Sequence, residues 1–262
     1  MRQSPFPTLA RATLALVFLL LCSNQAPAQE WLEADVVLLG ESHTSREDHE
    51  NQLRALALLA SRDAKPVVAA EMFREDSQSE LERFNQQSSF LDFEADFWSR
   101  QWGHPYELYR PLWRLVKEKQ LELSPLRPSL ERTEAFKKEG VAAAALWLGE
   151  FYLGPQAYRD HMASIAARHM PQGHEVKPEL VERYFLVQCF WDEYMTWRIL
   201  ELKRARPHQP IAVLVGHGHL HPEWGIPARL KRRAPELRVI TLEYGTGESP
   251  PDLRPESALR PR

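Results

Sequence analysis

Three short apolar runs constrain the fold of this chain more than any other feature. They are DVVLLG at 35–40, VVAAEMF at 67–73 and IAVLVG at 211–216. Continuous apolar runs of this length are typical of strands that are buried on both faces of a parallel sheet. We therefore expect such a sheet at the centre of the fold.

Helical patterns separate the predicted strands. Thr44 and Glu47 have the spacing of a capping box, and the helix that they begin is expected to end at Lys65-Pro66. Two further strands are predicted at 121–126 (LELSPL) and 238–244 (RVITLEY).

The order of these elements predicts the fold class. Residues 130–205 have an almost entirely helical pattern, interrupted at MPQGHEVKP. Alternating strands and helices predict an α/β fold: a mostly parallel central sheet with helices on both faces and a large helical insertion at about 130–205. With 44% apolar residues, the 262-residue chain can form one large domain, which we place at 29–245.

Both ends of the chain differ from this domain. Arg2 and Arg11 precede the apolar stretch LALVFLLLC, and Ala26-Pro27-Ala28 follows it, which predicts a signal peptide at 1–28. The apolar stretch is shorter than the roughly 20 residues of a membrane-spanning helix. Acylation of Cys22, as in a bacterial lipoprotein, is the alternative and would attach the chain to a membrane. The Pro- and Arg-rich tail at 246–262 is predicted to be disordered.

Charge and cysteine content exclude some classes of function. A formal net charge of −3 gives no basic excess, so no nucleic-acid partner is expected. With Cys22 removed or acylated, only Cys189 remains, and its apolar context FLVQCFW predicts a buried, unreactive thiol.

Polar residues follow three of the predicted strands. Glu41 and His43 follow the first strand, Glu71 lies near the end of the second, and His217 and His219 follow IAVLVG. The carboxyl ends of parallel strands meet at one edge, where α/β proteins bind their ligands. A buried Glu is costly without a cation or donor, so we expect Glu41, His43, Glu71 and His219 to converge there.

This residue set is compatible with more than one kind of site. Imidazole and carboxylate ligands suit a divalent metal ion, held by His43, His219, Glu41 and Glu71. In an enzyme, Glu41 or Glu71 would act as a general base beside His43. Each histidine taken alone is better explained by a structural hydrogen bond.

Aromatic and polar residues elsewhere in the chain add further candidates. The segment around Trp102 and Tyr106 is either core or a wall for a planar ligand, with Tyr106 or Tyr109 as a phenolate ligand to iron. Gln188 and Asp192 share one helical face, which indicates a hydrogen bond to a neighbouring loop or a ligand contact.

Several known motifs are absent from the sequence. It contains no G-x-S-x-G, H-E-x-x-H, Walker or G-x-G-x-x-G motif. It also lacks C-x-x-C-H, so any haem would be bound noncovalently.

The blocks LLGESH, AAEMF, WGHPYELYRPL, QCFWDEYM and GHGHLHPEWGIPARL occur in this order. In them the chain resembles the ChaN-like haem-binding uptake family, which is related to the Tiki, TraB and erythromycin-esterase-like proteins. The resemblance extends over about 35–244. One departure is Leu126-Arg127-Pro128, where the family pattern leads us to expect an Asn-x-Pro element.

The resemblance implies a function and a location. It implies a secreted, periplasmic or outer-membrane lipid-anchored bacterial protein that binds haem for iron uptake, as a homodimer that pairs two haems. The residues that it implies for the site are Glu41, His43, Glu71 and His219, and we add His217 and Tyr106 as candidate haem contacts. A metal-dependent hydrolase that uses the same glutamates and histidines is the alternative.

Overall fold

Five parallel strands form the centre of the fold. They are β1 (Val36–Glu41), β2 (Val67–Arg74), β3 (Leu123–Arg127), β4 (Ile211–Gly216) and β5 (Val239–Leu242). In the sheet they follow the order β3-β2-β4-β1-β5, and every pairing is parallel. This computed structural model describes residues 30–86, 97–169 and 177–243; the predicted signal peptide, Cys22 and the predicted tail lie outside these ranges.

Helices connect the strands. They are α1 (Arg46–Ala60), α2 (Gln78–Gln86), α3 (Trp98–Gln101), α4 (Tyr106–Glu118), α5 (Leu130–Leu148), α6 (Gln156–His169), α7 (Pro178–Ala205) and α8 (Ile226–Arg233). The predicted α/β fold is confirmed, with α5, α6 and α7 as the helical segment between β3 and β4.

Alternate side chains of each strand pack on opposite faces of the sheet, as the two-residue period of a strand requires. One face packs against α1, α2 and α4 through a cluster that includes Val37, Leu39, Val68, Ala70, Ala212 and Leu214. The other packs against α7 and α8 through a cluster that includes Val36, Leu38, Val67, Ala69, Ile211 and Val213. Both faces are covered, so the continuous apolar runs are explained by burial.

The structure corrects both predicted ends of α1. The N-cap is Ser45, whose hydroxyl accepts the Asp48 N–H at 3.2 Å, so the helix begins one residue after the predicted capping box would start it. It ends at Ala60, because the N–H of Ser61 turns back to the carbonyls of Leu58 and Leu59. The polar segment before Lys65-Pro66 is therefore a turn and not a last helical turn.

The long helix α7 links the sheet to the helical segment. Its second half packs on the sheet through Met195 and Ile199, and its middle packs against α5 and α6 through Phe185 and Phe190. Cys189 is a buried free thiol on this helix, as predicted. Within the described ranges, no helix has both the length and the apolar character needed to cross a membrane.

Candidate functional site

The strand ends bring four of the predicted residues to one place. Glu41 and Gly216 are the last residues of β1 and β4 and lie side by side in register. A Cβ built on Gly216 would lie 2.7 Å from Cε1 of His43 and 3.4 Å from Oε2 of Glu71. We call this set, Glu41, His43, Glu71, Gly216 and His219, the crest site.

Three side chains surround the carboxylate of Glu41. The Tyr109 hydroxyl donates to its Oε1 at 2.7 Å, and Nδ1 of His43 lies 2.9 Å from the same oxygen. Nδ1 of His49 lies 3.0 Å from Oε2. Burial alone would raise the pKa of Glu41, but the two histidines and Tyr109 lower it below its ordinary value. Glu41 is therefore a buried carboxylate that orients the groups around it.

Glu71 forms a second buried pair. Its Oε2 accepts the Gly216 N–H at 2.7 Å, and its Oε1 lies 3.4 Å from Nε2 of His219. Burial opposes ionisation, yet the positive charge of His219 holds the pKa of Glu71 at about 2.

His219 lies between two carboxylates. Its Nδ1 lies 2.6 Å from Oδ1 of Asp192, opposite the contact of Nε2 with Glu71. A carboxylate is an acceptor, so both ring nitrogens donate and the ring is an imidazolium. Burial lowers the pKa of His219, but Glu71 and Asp192 raise it to about 10. It is therefore Asp192 that makes the predicted hydrogen bond to a neighbouring loop; Nε2 of Gln188 lies 3.0 Å from the same Nδ1, which has no lone pair left to accept an amide N–H.

Buried polar and charged side chains contact the carboxylate oxygen of Asp192 that does not face His219. Its Oδ2 accepts the Tyr158 hydroxyl at 2.8 Å and lies 3.6 Å from Nη1 of Arg229. The Arg229 Nε is 3.0 Å from Glu193, which also pairs with Arg233. The side chains of Asp192, Arg229 and Glu193 are fully buried. The α7–α8 interface therefore fixes the orientation of His219.

His43 is the part of the crest site that opens to solvent. Its side chain is 32% exposed, whereas that of Glu41 is completely buried. The ring lies edge-on to Trp102 at 4.9 Å and beside His104 at 4.8 Å. Burial lowers the pKa of His43, but the hydrogen bond with Glu41 and the nearby Glu71 raise it, so the net shift is upward.

His217 lies apart from these residues. Its Nε2 is 3.5 Å from the carboxylate of Asp48, on the first turn of α1. The ring packs over Gly40, where a built Cβ would lie 2.8 Å from its Nδ1. Gly40 therefore makes room for His217 and not for a ligand at the crest site.

The two candidate tyrosines have different positions. Tyr109 is fully buried and donates to Glu41, and burial together with Glu41 raises its pKa well above the ordinary value, which disfavours a phenolate. Tyr106, one turn earlier on α4, packs beside Trp98 at 5.6 Å and under the guanidinium of Arg110. The structure does not bring Tyr106 into contact with the crest glutamates.

The four residues that were predicted to bind a metal contact one another or neighbouring side chains. In the described ranges, no group of three or more His, Cys, Asp or Glu side chains is placed to hold a metal ion. The reason lies in the pairing: Glu41 faces His43 and His49, and Glu71 faces His219, so the donor atoms are directed at one another.

Several residues of the site were not predicted from the sequence. His49 and Asp48 come from α1, and His104 comes from the loop before α4. His49 could have been found, because the i, i+4 spacing from Ser45 places it on the turn that faces β1. His104 gives no such signal, since its place depends on how α4 packs.

Comparisons with known proteins identify relatives of this chain. The family model described as "Haem-binding uptake, Tiki superfamily, ChaN" matches residues 28–230. A solved structure of ChaN of Campylobacter jejuni, described as cofacial haem binding, has a TM-score of 0.64 at 17% identity and covers 85% of this chain and 86% of that one. This likeness shows a shared fold.

Other matches are more remote. A mutant of the erythromycin esterase EreC in its open conformation has a TM-score of 0.47 at 14% identity, covering 85% of this chain and 76% of that one. The type III effector HopBA1 has a TM-score of 0.46 at 11% identity, covering 82% and 79%. A search of curated proteins found no match. Because the family model covers most of its length, the chain belongs to the ChaN family of haem-binding uptake proteins in the Tiki superfamily.

Proposed function

We propose that this chain binds haem noncovalently at the crest site and takes part in haem uptake. The observation that carries the proposal is His43, whose Nδ1 is held by Glu41 at 2.9 Å while a third of the side chain remains exposed. Family membership supports haem as the ligand.

The residues around His43 fit a haem. No hydrogen bond or ion pair with another described residue involves Nε2 of His43, so this nitrogen can act as an iron ligand. Glu41 would then fix the ring orientation and the tautomer, as carboxylates do for metal-bound histidines. The rings of Trp102 and His104 provide an aromatic wall beside it. Haem, when bound, would supply an iron that accepts this nitrogen.

An absorbance titration tests the proposal. The purified chain should shift the Soret band of haem with a stoichiometric end point, and His43→Ala should abolish or alter that band. His208→Ala is a matched control, because His208 is exposed in the turn before β4, at the opposite end of that strand. An unshifted Soret band at equimolar haem with the wild-type chain would overturn the proposal.

We further propose export of the chain and pairing of two haems in a homodimer. Removal of residues 1–28 would deliver the domain to the periplasm or outside the cell, with acylation of Cys22 as the lipid-anchored alternative. Intact-mass analysis of the protein from its native host separates the two, since only acylation adds lipid mass. Light scattering with and without haem tests the dimer, and an unchanged monomer mass with haem would exclude it.

The Glu41–His43 pair also supports a second candidate function, hydrolysis. A histidine that is fixed by a carboxylate at Nδ1 and open at Nε2 has the arrangement of a general base that activates water. Under this candidate, a panel of ester and peptide substrates should reveal turnover that His43→Ala removes and chelators leave intact. Turnover that survives His43→Ala would exclude this mechanism.

A further inference from the structure

Arg127 brings an arginine side chain to the same edge of the sheet as the crest site. It is the last residue of β3, which pairs with β2, the strand that carries Glu71. Its Cζ lies 4.9 Å from the ring centroid of Trp102 and 5.7 Å from that of Trp191. The guanidinium is therefore held between two indole rings.

No carboxylate of the described residues forms an ion pair with this guanidinium. Nη2 donates to the backbone oxygen of Gln101 at 2.5 Å, and Nε is buried without a hydrogen-bond partner. Arg229, by contrast, is buried with both Asp192 and Glu193. Burial, with the nearby charge of Arg74, lowers the pKa of Arg127 to about 10, although the charges of Glu71 and Asp76 act in the opposite direction. Arg127 as a whole is only half-buried, so its guanidinium combines a buried N–H without a hydrogen-bond partner with an approach that is open to an anion.

Arg127 and His43 both lie beside Trp102. The ring of His43 and the Cζ of Arg127 each lie 4.9 Å from a ring centroid of Trp102. His43 and Arg127 therefore border the same indole, and a ligand that spans Trp102 would reach both. A planar guanidinium with open N–H groups matches the geometry of a carboxylate, which it can bind through two parallel hydrogen bonds.

We propose that Arg127 binds a carboxylate of the ligand that occupies the crest site. The identity of that carboxylate rests on the proposed function: for haem it is a propionate.

The first test compares haem with haem dimethyl ester, in which both propionates are esterified. Arg127→Gln should weaken haem binding about 10- to 100-fold, in line with loss of a charge-assisted hydrogen bond, and leave ester binding unchanged. Arg127→Lys keeps the charge and should recover part of the loss. Arg198→Gln is the matched control, because Arg198 also has a buried Nε but bonds to Ser124 near the start of β3. Equal weakening of haem and its ester by Arg127→Gln would overturn the inference.

A second readout does not depend on haem. Sodium benzoate should shift the Nε–Hε NMR signal of Arg127, identified by its loss in Arg127→Gln, to saturation. Sodium chloride at the same ionic strength should not. If the wild type binds neither form of haem but benzoate shifts this signal, the proposed function fails while the carboxylate site stands. An unmoved signal in benzoate, with haem bound normally by Arg127→Gln, refutes the carboxylate site alone.

Discussion

The carboxylate of Asp192 lies 2.6 Å from Nδ1 of His219, and this contact ties the middle of α7 to the loop after β4. Because Glu71 faces the other nitrogen of the ring, His219 serves as a fixed cation between two acids and has no lone pair to offer a metal. The partly exposed imidazole of His43 therefore supplies the nitrogen of the crest site that remains free to bind a ligand, Nε2.

Replacement of Asp192 by Asn should test this arrangement. The buried imidazolium would lose one carboxylate and Arg229 one of its two, so the free energy of unfolding should fall by about 3 kcal/mol. The pKa of His219 should also fall, which its ring signals would report in an NMR titration. Asp160→Asn, an exposed change on α6, is the control and should leave both quantities unchanged. Equal stability of the two variants would contradict the role given to Asp192.

Gly216 and Gly218 should respond differently to alanine. A Cβ at Gly216 would lie 2.7 Å from Cε1 of His43, whereas at Gly218 it would meet nothing within 4 Å. The backbone of Gly216 is extended, with φ −65° and ψ 145°, so the penalty is one of space and not of backbone strain. Gly216→Ala should therefore weaken haem binding at least about tenfold, by displacing His43, and Gly218→Ala should not. Isothermal titration of both variants compares them directly, and equal affinities would exclude the close packing.

The Glu71–His219 pair predicts a pH window for stability. Glu71, with its pKa lowered from 4.5 to about 2, stabilises the fold above pH 4.5, and this contribution is lost as the pH falls towards 2. His219, with its pKa raised from 6.5 to about 10, stabilises the fold below pH 6.5, and this contribution is lost as the pH rises towards 10. The contribution of the pair should thus be largest between pH 4.5 and 6.5.

Urea unfolding of the wild type and of Glu71→Gln across this range measures that contribution. The difference between the two should be greatest inside the window and shrink on both sides. Glu182→Gln is a control for loss of a glutamate, since Glu182 is exposed on α7 and pairs with Arg159 at the surface. A difference that does not vary with pH would show that the pair is not ionised as described.

The sequence predicts those parts of the site that follow directly from strand connectivity. Glu41, His43 and His219 each lie within three residues of a strand end, so placing the strands in one parallel sheet also places these side chains at one edge. Along each strand, alternate side chains then point to opposite faces of the sheet.

The rest depends on tertiary packing that local patterns do not encode. Tyr109 meets Glu41 across 68 residues of sequence, and Asp192 meets His219 across 27. Both contacts depend on which side of α4 and of α7 faces the sheet. Packing against the sheet sets that orientation. Arg127 directly follows the strand that was predicted at 121–126, but its unpartnered Nε is visible only once its neighbours are known.

The three side chains around Glu41 predict an asymmetric response to two substitutions. Tyr109→Phe removes one donor and leaves the carboxylate with His43 and His49, so the free energy of unfolding should fall by about 1 kcal/mol. Glu41→Gln turns an amide nitrogen towards at least one donor, so it should cost about 3 kcal/mol and release His43. In the double variant the loss should be smaller than the sum of the two, because Tyr109 contributes chiefly through Glu41. Chemical denaturation of all four proteins completes the cycle. Strict additivity would mean that the Tyr109 hydroxyl does not act through this carboxylate, and that the anchor of His43 lies elsewhere.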